Sequence, residues 1–158
     1  MPTPALYDTL FHFKDIHKVI LNFAEELTTE QLNWKPEGYS TSIGFHLWHL
    51  ARESDYLKAA ILQHYPGLEL GLEDEGEIWI REELAKKWGF PAEAHETVGT
   101  GLSDDVAANL PIPQKAELTA YLQNSYTAIE NFIEVFDTRY TTFENLDEEI
   151  TKKIQNVR

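Results

Sequence analysis

Two histidines and a carboxylate recur along one face of a predicted helix in the segment SIGFHLWHLARESDYL. His46 and His49 are three residues apart and Glu53 follows four residues later, so a helix would place the three side chains in one row. Neutral imidazole and carboxylate groups together suit zinc, nickel, iron or manganese. The His-Glu-x-x-His zinc signature is absent, because position 47 is Leu and the histidines are three apart.

The same row also has a structural interpretation. One histidine would be a hydrogen-bonded core residue and the other a rim residue, while Glu53 would pair with Arg52 or Lys58 near solvent. Short motifs of this kind occur often by chance, so the spacing alone favours the structural interpretation over a metal site.

Other histidines could join the row. His12 lies beside the apolar stripe of the first predicted helix and could reach the second helix if the two pack antiparallel, which makes it, like His46, a weaker candidate metal ligand than His49. We expect His17, which lies off that flank, to be exposed. His95 is either a surface loop residue or a lid contact over a pocket.

Aromatic residues are the second candidate for a binding site. Glu53, Trp48 and Tyr56 are the candidate pocket residues beside the histidine row. Trp34, Trp79 and Trp88 could extend this to a cleft for a small apolar ligand, although tryptophans at helical spacing are more often core residues.

Composition excludes several classes of function. The formal net charge is -14, from 27 acidic and 13 basic residues, which argues against nucleic-acid or anionic-membrane binding. The chain has no cysteine, so disulfides, thiolate ligands and a cysteine nucleophile are excluded.

No apolar run is long enough to span a membrane and no signal peptide is visible, so we expect a cytoplasmic protein. Consecutive acids at 73–75 lack the alternating spacing of a calcium loop and predict a solvated acidic segment.

Apolar periodicity predicts an all-α fold in a single domain over residues 1–158. Long helices are predicted at 4–27, from about 43 to 64, and at 114–138, with shorter ones at 78–88 and 146–154. The core stripe of the first helix is expected to comprise Leu6, Phe13, Ile16, Ile20, Phe23 and Leu27. That of the second is expected to comprise Ile43, Leu47, Leu50, Leu57 and Ile61. The simplest architecture is an up-down bundle with a long crossover between the second and third long helices, and a fourth helix that is short or missing.

Several motifs in a fixed order resemble the DinB-like superfamily of putative metal-dependent enzymes. They are ELTTEQLNWKPEGYSTSIGFHLWHLARESDYLKAAI, EIWIREELAKKWGFP, GTGLSDDVAANLP and AYLQNSYTAIENFI, within about residues 10–137. The resemblance implies a four-helix bundle, often dimeric, in which three histidines hold a divalent metal. It implies a metal-dependent transferase or hydrolase acting on a small molecule, in some relatives with a low-molecular-weight thiol.

The histidine triad of that family transfers to this chain at one position only. His49 matches the histidine of the family's His-Leu-Ala helix, whereas no histidine follows Phe136 and the family's C-terminal His-x-x-x-His pair has no counterpart. Either the sequence continues into that helix beyond Arg158, or the protein departs from the family pattern. In the second case a bundle lacking one helix would expose apolar surface, and we expect a homodimer that covers it. The alternative function is a non-catalytic dimeric bundle that serves as a binding module.

Overall fold

The computed structural model describes residues 4–37, 41–64 and 76–139. Within them every regular element is helical, as the periodicity predicts. The predicted acidic loop at 73–75 and the predicted short helix at 146–154 lie outside the described residues. The elements are α1 (Pro4–Glu26), α2 (Thr29–Asn33), α3 (Ile43–His64), α4 (Ile78–Arg81), α5 (Leu84–Lys87), a 3-10 turn (Ala92–Ala94), α6 (Asp104–Asn109) and α7 (Lys115–Arg139).

Local sequence signals fix several of the helix ends. The hydroxyl of Thr28 accepts a hydrogen bond from the backbone N–H of Gln31, whose side chain accepts from the N–H of Thr28, so α2 begins with a capping box. Ser42 caps α3 by accepting from the N–H of Phe45, and Ser103 caps α6 in the same way. The predicted helix at 78–88 is instead two short helices, because Glu83 between them has a positive φ of 51°.

The three long helices pack with α7 between α1 and α3. Helix α1 is antiparallel to α7, since Lys14 pairs with Glu134 at one end and Lys115 donates to the backbone carbonyl of Glu25 at the other. Helix α3 is parallel to α7. The Tyr121 hydroxyl meets Asp55 towards the start of α7, and Ile61 packs near Phe132 towards its end. A parallel pair requires the long crossover, which occupies residues 65–114.

The crossover fills the space between α3 and α7 with aromatic rings. Trp79 lies 5.8 Å from Trp48 of α3 and 5.8 Å from Tyr121 of α7, measured between ring centroids, and 5.5 Å from Trp88. All four rings are buried, so these tryptophans form core and not an open cleft. Trp34 is exposed.

His17 is buried, which corrects the prediction that it is exposed. Its ring stacks on Tyr126 of α7 at a centroid separation of 3.7 Å, and its Nδ1 lies 2.6 Å from a carboxylate oxygen of Glu130. His17 is only 6% exposed because the face of α1 that carries it packs against α7. The carboxylate satisfies the imidazole N–H, which makes burial of a polar ring tolerable.

The predicted core positions on the opposite flank of α1 are exposed. Ile16, Val19 and Phe23 are 56%, 63% and 48% exposed, and they lie on one face at positions i, i+3 and i+7. Leu50 and Leu57 of α3 are each 39% exposed, at positions i and i+7. The core assignment of these four predicted stripe residues, Ile16, Phe23, Leu50 and Leu57, is therefore wrong. Their apolar side chains are only partly covered within the described part of the chain.

Candidate functional site

The histidine row lies on the outward face of α3. His46 is exposed, His49 is partly buried with 29% of its side chain accessible, and Glu53 has 47% accessible. The Nε2 atom of His46 is 3.1 Å from the hydroxyl of Thr41, just before the helix. The spacing argument places the three residues on one face correctly, but it does not show what each side chain contacts.

His49 is oriented by the crossover. Its Nδ1 lies 2.6 Å from the backbone carbonyl oxygen of Val98. A carbonyl can only accept, so Nδ1 carries the hydrogen, and in the neutral ring the Nε2 lone pair is left available. That Nε2 is 3.9 Å from a carboxylate oxygen of Glu53, too far for a hydrogen bond but within the range over which a bound cation could bridge the two atoms.

The loop that supplies the Val98 carbonyl is tied down on both sides. Arg52 donates from Nε to the carbonyl of Thr97 at 3.2 Å, and Trp79 donates from its indole N–H to the carbonyl of His95 at 2.7 Å. The Thr97 hydroxyl accepts from the N–H of Gly99 at 3.0 Å. These bonds fix the loop against α3 and so hold the carbonyl that orients His49.

Gly99 permits this close approach. A Cβ at this position would lie 3.0 Å from His49 Nδ1 and 3.0 Å from the ring of Trp48. Its φ of 111° is also one that side-chain-bearing residues rarely adopt. Trp48 itself is 0% exposed, so it supports the row from beneath rather than lining a pocket.

A buried ion network anchors the crossover behind the row. Arg52, 1% exposed, lies 2.8 Å from Glu77 and 3.7 Å from Asp55. The Asp55 carboxylate accepts from the backbone N–H groups of Ile78 and Trp79 at 2.9 Å each, at the start of α4. The structural interpretation paired Arg52 with Glu53; its partners are instead these two other carboxylates, because Arg52 points inward.

Tyr121 completes this network from α7. Its hydroxyl donates to Asp55 at 3.0 Å. Burial, reinforced by the Asp55 carboxylate, raises the pKa of Tyr121 far above its ordinary value, so the hydroxyl remains a donor. Sequence reasoning missed this role of Arg52 and Asp55. A signal was present, since both residues share the helix face of the buried Trp48 and charged residues on such a face need buried partners.

The remaining candidates lie elsewhere. His12 is exposed on α1, two residues from Lys14, whose partner Glu134 is near the end of α7. The antiparallel packing therefore puts His12 at the opposite end of the bundle from His49, and the structure does not bring the two together. His95 contacts another residue of the crossover, since its Nε2 lies 2.9 Å from the backbone carbonyl oxygen of Phe90. Tyr56 is 42% exposed on α3, on the same face as Glu53.

The described residues do not form a complete metal site. They contain no group of three or more histidine or acidic side chains close enough to hold a metal ion. The oriented His49 imidazole and the nearby Glu53 carboxylate are two donors of suitable chemistry on adjacent turns of one helix. Further ligands would have to come from outside this part of the chain, from a second copy or from substrate.

The comparisons with known proteins concern the family. No curated protein matches the chain. No helix within the described ranges has both the length and the apolar character needed to cross a membrane. A family model described as the DinB superfamily matches residues 12–156, which include all of the described helices except the first turns of α1. Because this match covers most of its length, the chain belongs to the DinB superfamily.

Proposed function

We propose that this chain is a cytoplasmic metal-dependent transferase or hydrolase that acts on a small molecule, with His49 as a metal ligand. The observation that carries the proposal is the hydrogen bond from His49 Nδ1 to the carbonyl of Val98. Metal-binding histidines commonly donate their second ring nitrogen to a carbonyl or carboxylate, which fixes the ring and directs the other nitrogen to the metal. A core histidine would have no need of a free, accessible Nε2.

The chemistry assigned to this chain's residues is limited to binding and positioning. His49 Nε2, with Glu53 at 3.9 Å, would hold a divalent ion of zinc, nickel, iron or manganese. Such an ion, when bound, supplies Lewis acidity towards a substrate, a water or a low-molecular-weight thiol. The Arg52 network and Gly99 keep the Val98 carbonyl in contact with His49. His46 and Tyr56, at the two ends of the same helix face, contact the substrate.

Metal analysis tests the proposal directly. The purified full chain is incubated with each of the four metals, desalted and analysed for bound metal, beside His49→Ala and the control His46→Ala. We expect bound metal in the wild type, a loss of at least about tenfold in affinity in His49→Ala because a ligand is removed, and a smaller change in His46→Ala. The proposal would be contradicted by wild-type protein that retains none of the metals, or by a His49→Ala variant that binds metal as tightly as the wild type.

A second candidate function is a non-catalytic dimeric binding module. It is favoured by the exposed apolar faces of α1 and α3 and by the lack of a three-ligand cluster among the described residues. Thermal unfolding separates the two candidates, because a metal that binds the folded state raises the melting temperature. A melting temperature unaffected by added metal, in a chain that forms dimers, would support the binding module over the enzyme.

A further inference from the structure

A groove of about 870 Å³ lies between α1 and α7. It is separate from the histidine row, because no residue of α3 lines it. Six residues of α1 and six of α7 form its walls: Lys14, His17, Lys18, Leu21, Asn22, Glu25, Lys115, Ala116, Thr119, Ala120, Gln123 and Glu130.

The side-chain sizes of the two helices explain the groove. On α7 the small residues Ala116, Thr119 and Ala120 recur at about one helical turn, which leaves a shallow apolar floor. On α1 the long side chains of Lys14 and Lys18 stand one turn apart along the rim. The result is a methyl-lined floor bordered by polar and charged groups, the usual build of a small-molecule site.

The charge of the groove is opposite to that of the chain. Acidic residues outnumber basic ones by 27 to 13 in the sequence, yet three lysines and two glutamates line the groove. One of the two glutamates, Glu130, has a carboxylate oxygen 2.6 Å from Nδ1 of His17, so that oxygen already accepts a hydrogen bond within the protein. The charged lining residues thus have a small excess of positive charge, in contrast to the net negative charge of the molecule.

The three lysines remain available to a ligand. Lys115 donates to the backbone carbonyl of Glu25 and not to a carboxylate, so its charge is not neutralised. Lys14 lies 3.7 Å from Glu134 in an exposed pair, which binds weakly in water. Lys18 has no hydrogen-bond or ion-pair partner within the described part of the chain.

One wall of the groove is rigid as well as polar. The His17 ring is 6% exposed, stacks on Tyr126 and is held through Nδ1, so its position is fixed by both packing and hydrogen bonding. The side-chain amides of Asn22 and Gln123 add neutral hydrogen-bonding groups from the two helices. Fixed polar groups around an apolar floor reduce the ordering needed when a ligand binds.

We propose that the α1–α7 groove binds a small organic anion that carries carboxylate or phosphate groups. Lys18 and Lys115 bind its anionic groups, and the floor at Ala116 and Ala120 contacts its apolar part. Lys18 and Lys115 lie towards different ends of the groove, because Lys115 is level with Glu25, seven residues or roughly 10 Å along α1 from Lys18. A ligand with two separated anionic groups would engage both. This site does not depend on the metal chemistry proposed for His49.

Calorimetric titration of the full chain tests this assignment, with citrate as the carboxylate probe and inorganic phosphate as the phosphate probe. We expect saturable binding of at least one probe, weakened by added salt. Lys18→Gln should weaken binding roughly fivefold or more, because it removes a charge-assisted hydrogen bond at an exposed site. The matched control Lys86→Gln, an exposed lysine of α5, should leave binding unchanged.

A second variant separates the groove from general charge. Ala116→Leu fills the floor without altering any charge and should abolish binding of the probe. Circular dichroism and thermal melting of each variant check that the fold is intact, and Lys18→Arg should retain binding. The proposal is overturned if neither probe saturates, if Lys86→Gln weakens binding as much as Lys18→Gln, or if a folded Ala116→Leu variant binds as well as wild type.

Discussion

Gly99 lies against the imidazole of His49 so closely that a Cβ on Gly99 would be 3.0 Å from Nδ1. We expect Gly99→Ala to displace the loop, break the hydrogen bond from His49 to Val98 and destabilise the fold by about 2–4 kcal/mol, the sum of backbone strain and a lost hydrogen bond. Denaturant unfolding measures the loss, and ¹⁵N NMR of the His49 ring reports its tautomer.

Gly101→Ala is the control for that variant. Gly101 also has a positive φ, of 87°, but nothing lies within 4 Å of the place of its Cβ. It should cost about 1–3 kcal/mol from strain alone and leave the His49 ring signals unchanged. If the two variants altered the His49 signals equally, the close approach of Gly99 would not be what orients the ring.

Asp55 accepts hydrogen bonds from two backbone N–H groups of the crossover and from the Tyr121 hydroxyl, and it pairs with Arg52. Removing its carboxylate should therefore strongly destabilise the fold. We expect Asp55→Ala to destabilise the protein by about 3–5 kcal/mol, because Arg52 is left with fewer partners in the core and two N–H groups and a hydroxyl lose their acceptor. Chemical denaturation measures this. Glu83→Gln breaks an exposed ion pair with Lys86 and should have no measurable effect. Equal stability of the two variants would contradict the anchoring role of Asp55.

The hydroxyls of Tyr121 and Tyr126 should respond differently to removal. The Tyr121 hydroxyl donates to Asp55, so Tyr121→Phe should cost about 1.5–3 kcal/mol. The Tyr126 hydroxyl is buried with no hydrogen-bond partner among the described residues, so Tyr126→Phe should be neutral or stabilise the fold by up to about 1 kcal/mol. Paired thermal melts decide this, and a Tyr126→Phe loss as large as that of Tyr121→Phe would indicate an unseen partner.

The free energy of unfolding should decrease at alkaline pH. Burial raises the pKa of both Tyr121 and Tyr126 above the value of about 10 expected for unfolded tyrosine. A raised pKa in the folded state means that the tyrosine contribution is complete below about pH 10 and is lost as pH rises beyond it, because the unfolded chain ionises first. Unfolding free energies measured from neutral to strongly alkaline pH should show this slope, and Tyr126→Phe should reduce it. A flat alkaline profile would contradict it.

The exposed stripe of α1 is the best surface for the expected homodimer. Val19→Glu places a charge at the centre of that stripe, beside Ile16 and Phe23, and should convert dimer to monomer in light scattering. Ile80→Glu changes a comparably exposed apolar residue on α4 and should leave the mass unchanged. A wild type that stays monomeric at high concentration, or a dimer that survives Val19→Glu, would exclude this interface.

Local patterns were enough to predict the helices and several of their ends. The all-α class and the long crossover follow from periodicity, and the structure confirms them. The caps at Thr28 and Ser103 likewise depend only on hydrogen bonds within three residues. The buried face of α1 was not predictable in the same way. The predicted stripe of that helix is divided in the structure: Phe13, Ile20 and Leu27 are partly or fully buried, whereas Ile16 and Phe23 are exposed. Periodicity cannot say which side of a broad apolar stripe meets α7.

The candidate site was predictable only in part for a related reason. The spacing of His46, His49 and Glu53 puts them on one face, but the carbonyl that orients His49 is 49 residues away in the sequence. No local pattern encodes that contact. The metal ligands, the thiol, the substrate and the homodimer stay predictions.

The parallel packing of α3 and α7 has a consequence for how the chain folds. Asp55 and Tyr121 are 66 residues apart in the sequence. The interface between α3 and α7 can therefore form only when the chain closes a long loop that contains the crossover. Bundles built from adjacent antiparallel helices form their interfaces from local contacts and fold quickly, whereas distant contacts slow the search. We therefore expect α1 and α3 to gain helical structure early in refolding, and docking of the tryptophan-rich crossover, visible as a change in Trp fluorescence, to limit the rate.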